Sequence, residues 1–165
     1  MRAQLILYDQ CNQAYCDPSA EGIFFICSTG TPRSPIGPLY FHPSSRITEY
    51  AIGKHFCDEQ RSKGKKSDMI IARSYLEGML KLSHIYQITE WLVMTPSEQY
   101  IHTKMTHIQQ KLASSGIRLI FLPNTQFLLS QEEFAKHYEK PPIMEFFYRM
   151  MRKKYNILMD GDKPV

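Results

Sequence analysis

Apolar residues along this chain fall into short runs separated by longer amphipathic or polar stretches. Leu5-Ile6-Leu7, Ile23-Phe24-Phe25-Ile26, Met69-Ile70-Ile71, Trp91-Leu92-Val93-Met94 and Ile117-Arg118-Leu119-Ile120-Phe121 are each bounded by polar or turn residues. Runs of this length predict strands buried on both faces of a parallel sheet. The intervals between the later runs carry helical periodicity. At Thr95-Pro96-Ser97-Glu98 a cap, a first-turn proline and a capping-box glutamate predict a helix start. Ile101, Met105, Ile108 and Leu112 then repeat at i, i+4, i+7 and i+11, and Gly116 ends the helix. Ser74-x-x-Glu77 predicts a helix ending near Gln87, and Ser130-x-x-Glu133 one running through Tyr138. Residues 43–64 also read as a helix, with Ile47, Tyr50 and Ala51 on its apolar face and Gly53 weakening it.

Buried strands alternating with crossover helices predict an α/β fold. It is doubly wound and Rossmann-like or flavodoxin-like, with about five mostly parallel strands, helices on both faces and Leu5 to Leu7 central. Its ligand crevice lies outside the carboxyl ends of the strands, in the loops 9–21, 28–43, 72–74, 95–97 and 122–130. Beyond Pro141 an apolar and basic segment, 143–152, predicts a helix. Its Phe146, Phe147, Tyr148, Met150 and Met151 exceed what one helix face buries. Phe146, Phe147, Tyr148 and Arg149 are therefore the candidate surface for another domain or for self-association.

Composition narrows this picture. With 165 residues and 43% hydrophobic side chains, one core is expected. The 20 Lys+Arg against 16 Asp+Glu give +4, which assists contact with a polyanion without identifying one. Cys11, Cys16, Cys27 and Cys57 form no C-x-x-C pair and read as free thiols. No signal peptide and no apolar run of membrane-spanning length is present, which predicts a soluble, cytoplasmic protein with no membrane contact. The missing Gly-x-Gly-x-x-Gly and Walker patterns disfavour a dinucleotide dehydrogenase or P-loop enzyme. The proline-rich stretch around Arg33 reads as a surface loop. The six histidines show no ligand spacing, so no metal site is expected. A nucleophile and base drawn from Cys27 or Cys57 with His42 or His55 has no spacing to argue for it, and no catalytic residue is assigned. Asp160-Gly161-Asp162 reads as a turn, not a calcium loop. Asp9-Gln10, at the mouth of the first strand, can read a ring edge or a ribityl hydroxyl; the alternative is an Asp that caps or makes an Asx turn.

The residues Leu5-Ile-Leu-Tyr-Asp9-Gln10-Cys-Asn12 resemble the opening of the photolyase-related proteins, the iron–sulfur bacterial cryptochromes and photolyases. Asp17-Pro18, the run Ile23–Ile26, Phe127–Phe134, Met144–Arg152 and Leu158–Val165 extend the resemblance over essentially the whole chain. It implies an α/β antenna-type domain at 1–140, then a helix and the start of a linker at 141–165. A helical domain absent from this sequence would follow and hold FAD and a cysteine-ligated iron–sulfur cluster. The four cysteines here do not match the cluster positions. The resemblance also implies a lumazine-type antenna at Asp9, Gln10 and Asn12, and DNA as a partner of the full-length protein. Tyr8 stands where the family has glycine, Cys27 where it tends to be acidic, and Tyr40-Phe41-His42-Pro43 where it is basic; the first two alter the antenna crevice. The expected function is that of an antenna or scaffold domain in light-dependent DNA repair or photosensing, inactive alone. A stand-alone α/β ligand-binding or interaction module is the alternative, and a small hydrolase or transferase using a crevice carboxylate comes third.

Overall fold

The computed structural model describes residues 1–30, 43–137, 143–161 and 163–164. Arg33, the segment 40–42, Tyr138 and Asp162, each part of an expectation above, lie outside the described residues. The chain divides into two units, Met1–Gln126 and Phe127–Val165.

In the first unit the apolar runs become β1 (Arg2–Ile6), β2 (Gly22–Ser28), β3 (Lys66–Ala72), β4 (Glu90–Met94) and β5 (Arg118–Leu122). The helices are α1 (Pro43–Ser62), α2 (Tyr75–Tyr86) and α3 (Gln99–Ala113). The strands form one sheet in the order β3-β2-β1-β4-β5, with every neighbouring pair parallel and β1 central. Alternation along the strands sends side chains to two faces. Leu5, Leu7, Phe24, Ile26, Trp91 and Val93 pack against Met79 and Leu82 of α2 and Ile101, Met105 and Leu112 of α3. Ile6, Ile23 and Leu92 pack with Phe56 of α1, and Phe25 and Cys27 with Cys57. The fold is thus the doubly wound α/β arrangement, with helices on both faces.

Two local expectations are corrected. In α1, Ile47 is 68% exposed and Tyr50 and Ala51 also face water, whereas Glu49, Gly53, Phe56 and Gln60 are buried. The helix meets the sheet through a face containing a glycine and two polar residues, which apolar periodicity cannot reveal. The second correction concerns Thr95, which caps nothing. Its backbone N–H donates to Leu122 O at 2.9 Å and its hydroxyl to the same oxygen at 2.7 Å, prolonging the β4–β5 pairing. Helix α3 begins four residues later, at Gln99, behind Glu98.

The link from β1 to β2 contains no α-helix, only a 3-10 turn at Gln13–Tyr15. It is fastened to the sheet by a fully buried amide. Gln4 Nε2 donates to Tyr15 O at 2.8 Å, and Gln4 Oε1 accepts from Asp17 N at 2.7 Å. Gln60 of α1 adds a hydrogen bond to Gln13 at 2.8 Å.

The second unit holds α4 (Gln131–His137), α5 (Met144–Tyr155) and a hairpin of β6 (Met159–Asp160) and β7 (Lys163–Pro164). Ser130 opens α4 with a reciprocal box: Glu133 N donates to its Oγ at 3.1 Å and its own N–H to Glu133 Oε2 at 3.3 Å. Lys154 pairs with Glu133 at 2.7 Å, and the Phe134 and Phe147 rings lie 5.9 Å apart. No side chain of α5 is buried, and Phe146 is 60% and Tyr148 58% exposed. Among the described residues no helix is long and apolar enough to cross a membrane.

Candidate functional site

Chain direction splits at β1 and β4. From β1 the chain goes to β2 on one side, and from β4 to β5 on the other, so the loops after these two adjacent strands part and leave the crevice where ligands sit in open α/β sheets. Its walls are Tyr8, Asp9 and Gln10 after β1, the 95–98 segment after β4, and residues 123–126 after β5.

Gln10 is fully buried although polar, so its amide must be satisfied inside. Its Nε2 donates to Met94 O, the last residue of β4, at 3.3 Å, and its Oε1 accepts from Leu7 N at 3.5 Å. Its backbone N–H closes the turn on Leu7 O at 2.9 Å. Asp9 is exposed beside it, and its carbonyl accepts from Gln126 Nε2 at 2.8 Å. Asn12 turns to local work: its Oδ1 accepts from Ala14 N at 2.9 Å and caps the 3-10 turn. The structure therefore brings Asp9 and Gln10 together over the end of β1, while the Asn12 side chain serves its own turn.

Tyr8, whose ring the resemblance expects to alter the antenna crevice, and Glu98, read from sequence only as part of a helix cap, are joined across the opening. The half-buried Tyr8 ring packs on the cluster of Phe25, Cys27 and Cys57, and its hydroxyl donates to Glu98 Oε1 just ahead of α3. Asn124 adds a bond from Nδ2 to Thr95 O at 2.9 Å. The available signal was positional, since Glu98 and Asn124 are polar side chains in loops that directly follow apolar runs.

An open groove of about 340 Å³ lies beside α1 and is lined by Cys11, Ala51, Ile52, His55, Phe56 and Glu59. Its thiol is a poor nucleophile. Burial above all, then the neighbouring Cys57 and Asp9, pushes the Cys11 thiol up to about 12. Burial likewise raises Cys57, whose thiol donates to Asp68 O at 3.4 Å, and Cys27 is buried beside it. Neither thiol suits the nucleophile-and-base pair. Among the described residues no group of His, Cys, Asp and Glu could hold a metal ion.

The model of the deoxyribodipyrimidine photo-lyase-related protein family matches residues 8–165. No curated protein matches the chain.

Proposed function

This chain belongs to the deoxyribodipyrimidine photo-lyase-related protein family, and from that premise we propose that it is the amino-terminal α/β antenna or scaffold domain of a flavoprotein in light-dependent DNA repair or photosensing. The observation that carries this reading is the family match over residues 8–165, on a five-stranded parallel sheet with its crevice at the carboxyl ends of β1 and β4. On this reading the domain does no chemistry alone, in keeping with crevice residues that bond to one another and thiols held neutral by burial. On this reading FAD and an iron–sulfur cluster belong to a helical partner domain. The exposed Phe146 and Tyr148 of α5, with Arg149, are the surface offered to that domain or to a second copy. DNA is a partner of the whole assembly, which works in the cytoplasm.

On this reading the ligand that the crevice would take is the lumazine-type antenna that the resemblance implies. The Gln10 amide is committed to backbone groups, the Asn12 Oδ1 caps its own turn and Tyr8 lies across the opening, so the crevice as it stands does not fit such a ring. A stand-alone ligand-binding or interaction module is the second reading, and the same internal closure favours it. Two measurements test the first. Blue light on the purified chain with ultraviolet-damaged DNA should repair nothing, and ribityl-lumazine should bind saturably once the ring across the opening is removed, in a Tyr8→Gly variant. Repair by the chain alone, or no lumazine binding to that variant, overturns the proposal.

A further inference from the structure

We propose that side chains close both outer edges of the five-stranded sheet, Asp68 on β3 and Gln109 of α3 on β5, and that the β3 edge docks a second copy of the chain once the Asp68 carboxylate is removed.

In a strand the N–H and C=O of one residue point to one edge, and those of the next residue to the other. On β3 the Ala72 carbonyl accepts from Thr29 N at 2.8 Å, so Ala72, Ile70 and Asp68 face β2 while Met69 and Ile71 face outwards. On β5 Arg118 N donates to Thr89 O at 3.0 Å and Leu122 O accepts from Thr95 N at 2.9 Å, so Leu119 and Phe121 face outwards. Among the described residues no strand pairs with either outer edge.

An open edge of this kind is a template for another chain. Here a side chain has taken the position that matters on each. Asp68 Oδ1 accepts from Met69 N at 2.8 Å, and its Oδ2 accepts from the Tyr86 hydroxyl at 3.0 Å, so α2 holds the carboxylate against the edge. The Tyr86 ring is itself set on Phe24, with centroids 4.8 Å apart. Across the sheet Gln109 Nε2 donates to Leu119 O at 2.7 Å. One cap removes a donor and the other an acceptor.

The β3 edge is the one suited to a second copy. It is 7 residues long against 5 for β5, and Ile71 on it is 56% exposed. Met69 is its central residue, so two copies can pair antiparallel about a two-fold axis at Met69, a contact that serves both chains alike. The Met69 N–H is the donor such an axis needs, and Asp68 occupies it. With both caps in place, partners of this unit meet it through side chains and not by adding a strand.

The test is sedimentation velocity of the whole chain over a concentration series, below the thermal transition, in the wild type, Asp68→Ala, Asp68→Asn and Asp68→Ala with Ile71→Lys. Asp68→Ala should associate at about tenfold lower concentration than the wild type, because each pair of copies gains two uncapped donors. Asp68→Asn keeps an acceptor oxygen in the same place and should behave as the wild type does. Ile71→Lys puts a charge on the exposed edge and should return the double variant to the wild-type mass. Association through Phe146 and Tyr148 is common to all four proteins and cancels. If Asp68→Ala lacks a cooperative transition, Gln109→Leu reads the same device on β5 and should associate in its place. A folded Asp68→Ala with the wild-type mass overturns the proposal, as does association that Asp68→Asn shares or that Ile71→Lys leaves unchanged. So does a Gln109→Leu variant that stays at the wild-type mass when Asp68→Ala cannot be read.

Discussion

Gly53 of α1 stands so close over the Phe25 ring that a Cβ there would lie 2.4 Å from Cδ1. Gly78 of α2 does the same on the opposite face of β2, where a Cβ would lie 2.7 Å from Ile26 Cγ2. The central part of the sheet is thus gripped by two helices whose backbones approach it through missing side chains. Gly→Ala inside a helix ordinarily stabilises by roughly 1 kcal/mol through propensity. Here the added methyl meets a ring that is 1% exposed and has nowhere to move. Gly53→Ala should therefore destabilise by about 1–3 kcal/mol, the usual penalty of overpacking. Urea denaturation reads the sign directly, and a stabilised variant would show that α1 can lift off the sheet.

At the other end of the sheet Arg2, Glu90 and Arg118 stand in register on β1, β4 and β5. Glu90 is buried, accepts from Arg2, and pairs with Arg118 at 2.6 Å. Both guanidinium groups reach water, with side-chain exposures of 42% and 77%. Removing the carboxylate strands no buried cation, so Glu90→Gln should cost roughly 1–2 kcal/mol, below the loss typical of a fully buried pair. Chemical denaturation at low and high salt checks this, and an unchanged midpoint would assign the ladder no net contribution.

Three thiols carry a pH signature. Cys11, Cys16 and Cys57 are all raised above the ordinary thiol value by burial, Cys11 to about 12. A raised folded-state value favours the protonated folded protein, so this contribution is complete below the unfolded thiol value near 9 and fades as pH rises from there towards 12. Melting temperature should fall steeply over that window. A Cys11→Ala variant should lose part of the slope, and at pH 8 a disulfide reagent should label Cys11 and Cys57 far more slowly in the folded than in the unfolded chain. Immediate labelling of Cys57 in the folded chain would contradict its burial.

Helix caps give a sharper contrast. Ser74 accepts from Glu77 N at 3.2 Å and Ser130 from Glu133 N at 3.1 Å, so each Ser→Ala change should cost its helix about 1 kcal/mol. Thr95 makes no cap, and Thr95→Val should instead cost about 1 kcal/mol by losing its hydroxyl bond to Leu122 O. Protection of the α3 amides against hydrogen exchange separates the two roles. Fraying confined to the first turn of α3 in Thr95→Val would restore Thr95 as its cap.

Strands β1, β2 and β4 were legible because each is buried over most of its length and so writes a continuous apolar run. The edge strands β3 and β5 also fall on apolar runs, but they are covered only in part, with Ile71 and Ile120 exposed, so they are not the two-faced buried strands that those runs predict. Helix α3 was equally plain, since Ile101, Met105, Ile108 and Leu112 all enter the core. The contact face of α1 was not, because it is written in Gly53, Glu49 and Gln60, while Ile47 and Tyr50 imitate a core face from the solvent side. Thr95-Pro-Ser-Glu98 has the letters of a capping box, but a strand ladder took the threonine first. At the crevice, Asp9 and Gln10 could be placed from sequence because they follow the central strand. The pairing of Tyr8 with Glu98 could not, since the two lie 90 residues apart.

The β1–β2 connection sets how the molecule breathes. A crossover helix would hold itself by its own ladder of backbone bonds, whereas this segment is held by side chains from elsewhere: the Gln4 amide, Gln60 and Lys63 on Gln13, Lys65 on Ala20 O and Arg2 on Ser19. Segments without their own backbone ladder open at a lower free energy than the paired strands they lie on. Residues 11–20 should therefore exchange their amides before the sheet does. Each excursion would wet Ile6, Ile23 and Leu92 and loosen the Cys11 side of the groove, while β1 and β4 keep their pairing and their slow amide exchange.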